Sequence, residues 1–397
     1  MATLPTPSLE AAVQSQQLIK SIERKISDAD GWIDFATFMH MALYTPGLGY
    51  YSGGAKKFGK GGDFVTAPEI SPLFAQSLAR QVAQVLAATS NALNTNILEL
   101  SISEPCILEI GAGTGQLAAD LLINLQALNQ LPSQYFILEV SEHLRQIQCE
   151  NLQKKLPDTL MQRVVWLESL PSNFVGLILG NEVLDAIPVH LIHNTEQGLQ
   201  ERGVIFDGDF IWQDKPLKAG SLYNNVSAYS LPMDYLTEAC PAATGLINSL
   251  AQCLKQGVIL MLDYGFGAPE YYHPQRNTGT LMCHYQHYAH PNPLINVGLQ
   301  DITAHVNFTA IAEAALTQGL TLAGYCNQSS FLINCGLLEI LSETSPNNMA
   351  AYAPLAAAAQ KLLSPAEMGE LFKVIALTKG VEIDLLGFKS GDKTHTL

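Results

Sequence analysis

Cys106-Ile-Leu-Glu-Ile-Gly-Ala-Gly-Thr-Gly-Gln116 is the stretch that decides the fold. An apolar run of strand length enters a turn with glycines at 111, 113 and 115. A helical pattern follows, with Leu117, Leu121, Leu122 and Leu125 on one face. Glycines let the backbone turn sharply and approach a ligand closely. The free N–H groups at the helix start can meet ligand oxygens or a carboxylate. Spacing narrows the choice of ligand. A dinucleotide turn reads GxGxxG and would place its third glycine at 116. Here position 116 is glutamine and the glycine stands at 115, which disfavours a nucleotide-dependent oxidoreductase.

The pattern apolar-x-Glu-x-GxGxG is instead that of class I methyltransferases, whose cofactor S-adenosylmethionine (SAM) carries no pyrophosphate. Its ammonium group needs a negative partner near the turn, and Glu109 is placed to supply one, directly or through water. Gly111, Gly113 and Gly115 then form the cofactor cradle. Glu139 ends the next apolar run, Tyr135-Phe-Ile-Leu-Glu139. A carboxylate about 20 residues past the glycines can take both ribose hydroxyls. The run after that ends in Trp166-Leu167-Glu168, the position of adenine in this fold class.

Outward from the turn, short apolar runs alternate with helical stretches: Cys106–Ile110, Tyr135–Val140, Arg163–Leu167, Val175–Leu179 and Val258–Tyr264. They read as buried parallel strands. Phe372–Thr378 reads as a final strand, after a helix starting near Ser364-Pro365. His190–Trp212 alternates apolar and polar residues around Asp207-Gly208, a hairpin turn signal, and is expected to be a β-rich insertion. Upstream, Asp34 is a plausible cap for a helix burying Phe35, Phe38, Met39, Ala42 and Leu43. Pro46-Gly47 ends that helix. Ser71-Pro72 opens another, with Leu73, Phe74, Leu78, Val82, Val85 and Leu86 on its apolar face. The expected division is an N-terminal helical region over 1–100, the first half of the core over 101–190 and a β-rich insertion over 191–245. The second half of the core follows over 246–397, with a substrate-side insertion at 266–310.

Composition bounds the function. The chain has 397 residues, is 48% hydrophobic and 14% charged, and carries a net charge of -15. A soluble globular protein is expected. A phosphate-backbone binder is not, because that task needs a basic surface, so no nucleic-acid partner is expected. Seven scattered cysteines without a CxxC suggest reduced thiols, with neither a disulfide framework nor a zinc knuckle. The spacing in Cys283-His284-Tyr-Gln-His287-Tyr-Ala-His290 fits no standard zinc signature, so no metal is expected. Its aromatics and the prolines that follow it, Pro291 and Pro293, suggest a structured loop over the sheet edge. No signal pattern and no apolar run of membrane-spanning length is present, so the expected location is the cytoplasm, without membrane insertion.

Three further segments are candidates for the site. Gly47–Gly62 holds seven glycines in sixteen residues, with Lys56, Lys57 and Lys60. It reads equally as a lid or a solvated loop, and Gly62-Asp63 and Thr66-Ala-Pro68-Glu69 would follow it into the cofactor cleft. Gly180-Asn181-Glu182-Val-Leu-Asp185-Ala-Ile-Pro188 leaves the fourth run at the carboxyl edge of the sheet, where α/β folds bind ligands. It reads as acceptor-facing, as a capped helix start, or as both. Asp301, Thr303 and His305 are acceptor-site residues or caps.

Together these segments resemble the MidA-like methyltransferases, a bacterial and mitochondrial family whose eukaryotic branch is an arginine methyltransferase assisting assembly of respiratory complex I. The resembling residues are Phe35-Ala-Thr-Phe-Met39, Ala42-Leu-Tyr44, Gly49-Tyr-Tyr51, Gly62-Asp-Phe-Val-Thr-Ala-Pro-Glu-Ile-Ser71, Glu109–Gly115, Asn181–Pro188, Asp263-Tyr264-Gly265, Gly279-Thr-Leu281, Asp301-Ile-Thr-Ala-His-Val306 and Met368–Lys373. They span nearly the whole chain in the expected order. One departure is Phe74-Ala75, where the family usually has Phe-Gly.

The resemblance implies an α/β fold: a class I SAM-methyltransferase, Rossmann-like sheet with a helical N-terminal region and a β-rich, helical substrate insertion. It implies SAM as cofactor and a protein substrate with an acceptor arginine. A homodimer stays open. In this reading Thr66, Pro68, Glu69, Glu109, Gly111, Gly113, Gly115, Glu139, Leu167, Glu168 and Asn181 bind the cofactor. Asp263, Tyr264, Asp301 and His305 face the substrate. Glu182 and Asp185 are the catalytic candidates, since carboxylates can grip a guanidinium in a fork and accept its proton. Glu182 could equally hold the methionine end of SAM. A SAM-binding assembly scaffold with little catalysis is the alternative.

Overall fold

A computed structural model describes residues 4–53, 66–95 and 104–397. The segment with Lys56, Lys57, Lys60 and Gly62-Asp63 lies outside them. The chain divides into two compact units. One comprises Val65–Val183, Gly245–Gly267 and Asn307–Leu397, the other Met1–Phe64, Leu184–Thr244 and Ala268–Val306.

The first of these is the α/β core. Its strands are β1 (Cys106–Ile110), β2 (Tyr135–Leu138), β3 (Val164–Leu167), β4 (Phe174–Asn181), β5 (Leu254–Phe266), β6 (Thr321–Asn327) and β7 (Phe372–Lys379). They lie in the order β6-β7-β5-β4-β1-β2-β3, and a short eighth strand pairs with β5 off this path. The pairs β4–β5, β1–β4, β1–β2 and β2–β3 are parallel. Strand β7 runs antiparallel to both β5 and β6. Strand order reverses between β1 and β4, and such a switch point opens a ligand crevice at the carboxyl ends of the strands. Residues 111, 139, 168 and 182 each follow the last residue of a parallel strand.

Sequence patterning accounts for most of this unit. Leu117, Leu121, Leu122 and Leu125 of helix Gln116–Ala127 are buried, as are Leu73, Phe74, Leu78, Val82, Val85 and Leu86 of helix Pro72–Thr95. Ala75 is fully buried in the same cluster. One expectation is corrected and one strand is added. No helix starts near Ser364-Pro365: Ser364 is the C-cap of helix Met349–Leu363. Pro365 thus follows a helix end, a position that suits a residue unable to continue it. Strand β6 was not foreseen. Its Leu-Ala-Gly interior is broken by a register shift between Leu322 and Gly324, which hides the two-residue period.

The other unit packs helices Leu9–Asp28 and Phe35–Tyr44 with an antiparallel sheet. Asp34 Oδ1 accepts from Thr37 N at 2.7 Å and caps the second helix as expected. The sheet runs Ile33–Asp34, Gly198–Asp207, His190–Thr195, Tyr235–Ala239, with Asp209–Pro216 folded back on Gly198–Asp207 across Gly208 at φ 78. Leu18, Ile22, Phe35, Phe38, Met39, Leu191, Val204 and Ile302 share its core. Cys283–His290 corrects another expectation. It is a tight hairpin, Met282–Tyr285 paired with Tyr288–His290, and a third strand, Asp301–Thr303, pairs with the first. Gln286 and His287 take φ 47 and 68 at its turn. Such turns normally carry Gly or Asn, so Gln-His gave no signal. No helix among the described residues is long and apolar enough to cross a membrane.

Candidate functional site

Three left-handed glycines shape the turn after β1: Gly111 at φ 64, Gly113 at φ 53 and Gly115 at φ 78. A side chain at each would be strained by conformation alone. A Cβ on Gly111 would also stand 3.2 Å from Val183 Cγ2, while one on Gly113 meets nothing within 4 Å. Gly115 is the N-cap of helix Gln116–Ala127 and brings no capping side chain. The helix's first amides therefore stay available to a ligand.

Glu109, second from the end of β1, is 2% exposed. Tyr135 donates its hydroxyl to Glu109 Oε2 at 2.7 Å. Burial pushes the Glu109 carboxyl up to about 7, with the Tyr135 bond opposing and the Glu139 charge adding to the rise. Glu139 is also buried. Its Oε1 accepts from Ser141 N at 2.9 Å and its Oε2 from Gln148 Nε2 at 3.1 Å. Burial raises its pKa, and those two bonds oppose the rise. A cation beside Glu109 and a diol at Glu139 would each find an acceptor held in place. Leu167 ends β3 half-buried and Glu168 stands exposed just after it.

Thr66-Ala-Pro68-Glu69 forms a single helical turn bridging two parts of the crevice. Glu69 Oε1 accepts from the Thr114 hydroxyl at 2.8 Å. Ala67 N donates to Glu182 Oε1 at 3.3 Å, and Asn181 Nδ2 donates to the same oxygen at 3.1 Å. Pro68 is buried within the turn. Glu182 sits at φ 53, an uncommon backbone for a non-glycine. Asp263 fixes this tight step: it is 1% exposed and its Oδ2 accepts from Val183 N at 3.0 Å. Tyr264 packs its ring edge-on to Phe372, centroids 5.3 Å apart. Asn181 Oδ1 is buried without a partner among the described residues. That orphaned acceptor, the open space at Gly113 and the two held carboxylates fit a polar, cationic ligand such as SAM.

No helix starts in Asn181–Pro188, so neither Asn181 nor Asp185 is a cap. Asp301 and Thr303 lie in a strand, and Asn307 caps the next helix; this leaves Asp301, Thr303 and His305 without a capping role. In the second unit Asp185 and Asp301, 6% and 2% exposed, both lie close enough to Tyr51 to act on it. Tyr51 donates its hydroxyl to Asp301 Oδ1 at 2.9 Å. Its ring stacks on Tyr44 at 5.5 Å, and Tyr44 donates to the Ala186 carbonyl at 2.9 Å. Burial and then the Asp301 charge hold the Tyr51 hydroxyl well above its ordinary pKa, so it stays a donor. His305 N donates to the Thr280 hydroxyl at 3.0 Å.

Several residues here escaped sequence reading. Gln148 belongs to the surroundings of Glu139; Trp166, already in the adenine segment read from the sequence, donates its Nε1 to Gln148 Oε1 at 3.0 Å. Glu238 is 2% exposed and accepts from Thr280 N at 2.7 Å and Leu281 N at 3.0 Å. The signal for Gln148 was a polar residue on a stripe with Leu144 and Leu152. Asp34, His190 and Glu201 form one grouping that could hold a metal ion. Their atoms are already engaged: Asp34 caps Thr37, and His190 Nδ1 pairs with Glu201 Oε1 at 2.7 Å.

Comparison with known proteins agrees with this geometry. Residues 77–326 match the model of the family described as "Putative S-adenosyl-L-methionine-dependent methyltransferase". The chain is 45% identical to a "likely methyl transferase" from Burkholderia thailandensis crystallised with S-adenosyl-homocysteine, over 100% of both chains with TM-score 0.93. It is 28% identical to the mitochondrial protein arginine methyltransferase NDUFAF7 of Danio rerio, over 91% of this chain and 87% of that protein. The human NDUFAF7 is 29% identical over 87% and 80%. With fold, glycine turn and family model in agreement, the chain belongs to this family of S-adenosyl-L-methionine-dependent methyltransferases.

Proposed function

We propose that the enzyme methylates an arginine side chain of a protein. The observation that carries this reading is the grouping of two buried carboxylates, Asp185 and Asp301, around the Tyr51–Tyr44 ring pair. A guanidinium is planar, always charged and rich in donors, so it is recognised by carboxylates and by aromatic faces. The names of the NDUFAF7 relatives support the same acceptor.

SAM supplies an electrophilic methyl group on a sulfonium. The chain's residues must hold the two reactants in line and manage one proton. Glu109 offers its carboxylate to the ammonium of the cofactor, Glu139 to the ribose, and the Asn181–Glu182 step closes the crevice through Ala67. In this reading Glu182 serves the cofactor rather than the acceptor. Asp185 grips the guanidinium and accepts the proton it releases. Tyr51, kept protonated, holds Asp301 in place. The free thiols support a reducing compartment, the cytoplasm in our reading.

The test is incubation of the enzyme with methyl-labelled SAM and cell extract, followed by acid hydrolysis and mass spectrometry. Label is expected in methylarginine with the wild type and lost with Asp185→Asn. Label in lipid or small molecules would refute the arginine acceptor while leaving methyl transfer intact. SAM binding with no labelled product across growth conditions would favour an assembly scaffold.

A further inference from the structure

Helix Glu142–Lys155 buries Leu144, Gln148 and Leu152 along one stripe. Packing alone asks for a third Leu or Met at the middle position. Gln148 is instead fully buried, and both N–H donors and the oxygen of its amide are bonded. Nε2 donates to the Gly113 carbonyl at 3.1 Å and to Glu139 Oε2 at 3.1 Å. Oε1 accepts from Trp166 Nε1 at 3.0 Å. These partners fix the amide's orientation. Flipped, it would set an oxygen against a carboxylate and an NH2 against an indole donor. One side chain thus joins the glycine turn, the end of β2 and the end of β3.

We infer that Gln148 is a positioning residue for the cofactor: it holds the Glu139 carboxylate in the rotamer that meets the ribose hydroxyls and locks it to the glycine turn. The inference rests on Glu139 as the ribose acceptor. A carboxylate offers about four lone-pair sites. Ser141 N and Gln148 Nε2 each take one, on different oxygens, and the Val140 amide also favours the charged form, which still leaves acceptor capacity for a vicinal diol. The same two donors oppose the rise that burial imposes on the Glu139 pKa, so Gln148 also keeps it an acceptor. Asn151, three residues on, donates to the Thr114 carbonyl at 3.0 Å. It secures the turn without touching the carboxylate, a control supplied by the fold.

The experiment is calorimetric titration of the full chain with S-adenosyl-homocysteine and with its 2′-deoxy counterpart, for wild type, Gln148→Met, Glu139→Gln and Asn151→Leu. Circular dichroism and thermal melts check each fold. In the wild type, loss of the 2′-hydroxyl is expected to weaken binding about tenfold, the cost of one hydrogen bond to a charged group. Gln148→Met should weaken the parent ligand by a similar factor and bring the ratio of the two affinities close to one. Asn151→Leu should weaken both ligands alike and keep the ratio. If Gln148→Met keeps the wild-type ratio while Glu139→Gln loses it, Gln148 only packs and the inference falls alone. If the wild type does not discriminate, or Glu139→Gln discriminates as well as wild type, the ribose reading of Glu139 falls and takes the inference with it. Should Gln148→Met fail to fold, Trp166→Phe removes the indole donor while keeping an aromatic ring at that position. A partly reduced ratio is then expected, and an unchanged one overturns the inference.

Discussion

The crevice at the glycine turn and the cluster around Tyr51 are assembled in different ways. The first is built from short motifs, each at the carboxyl end of a strand: Glu109 to Gly115 at the end of β1, Glu139 after β2, Asn181-Glu182 at the end of β4. The second joins Tyr51 to Asp301 across 250 positions of sequence and adds Asp185 from a third segment. Local motifs fix a cofactor that every turnover uses in the same way. The proposed acceptor site takes its residues from three segments outside the α/β core unit, which can change without disturbing the sheet. Cofactor binding and transfer to the acceptor should therefore be separable by mutation.

Asp185→Asn is the largest expected effect. Loss of a proton acceptor typically costs about 10²- to 10⁴-fold in rate, so transfer to arginine should fall by at least about a hundredfold with SAM affinity unchanged. Equal losses in both would dissolve the separation. Gly111→Val attacks the other side. A β-branched residue at φ 64, with its Cβ 3.2 Å from Val183 Cγ2, adds backbone strain and overpacking of about 3 kcal/mol together. SAM binding by calorimetry should weaken by about a hundredfold; a near-normal affinity would show that the turn does not approach the cofactor.

Glu238→Ala asks whether the second unit can be weakened alone. The change strands the amides of Thr280 and Leu281 inside the protein. Orphaning buried donors costs about 1–3 kcal/mol each. Loosening this segment, which also holds His305 through Thr280, should raise the KM for the protein acceptor. The Kd for SAM should stay within about twofold, because the glycine turn belongs to the other unit.

The same contrast explains what could be read in the sequence. Gly111, Gly113, Gly115 and Glu139 were legible because strand, turn and acid follow one another at fixed spacing. The β-rich insertion was legible from its alternation and Asp207-Gly208. Gln148 left only a faint trace, a polar residue on an apolar helix stripe, and Glu238 left none, since nothing local distinguishes a buried, bonded carboxylate from an exposed one. The pairing of Tyr51 with Asp301 was illegible for a different reason: contacts across 250 positions leave no periodic trace. Family resemblance brought Asp301 forward, but only the coordinates put Tyr44 and Tyr51 beside it.

The smallest expected effect concerns Glu109 and sharpens the cofactor side of the comparison. Burial raises its carboxyl from an ordinary value of 4.5 to about 7. Between those two values the unfolded chain has released this proton and the folded chain has kept it. The folded apoprotein then binds more protons than the unfolded one, and Glu109's contribution to stability falls as pH rises from 4.5 to about 7. A bound ammonium reverses the preference, since a cation favours the ionised carboxylate. SAM should therefore release a proton on binding near neutrality, and its affinity should rise several-fold as pH passes through about 7. Glu109→Gln keeps an acceptor for Tyr135 and cannot ionise. It should flatten both pH profiles and lower SAM affinity most at alkaline pH. Calorimetry in buffers of different ionisation enthalpy counts the proton directly. A wild-type proton release near zero at pH 7 would mean that the ammonium is held elsewhere, leaving Glu109 as a buried acid bonded to Tyr135.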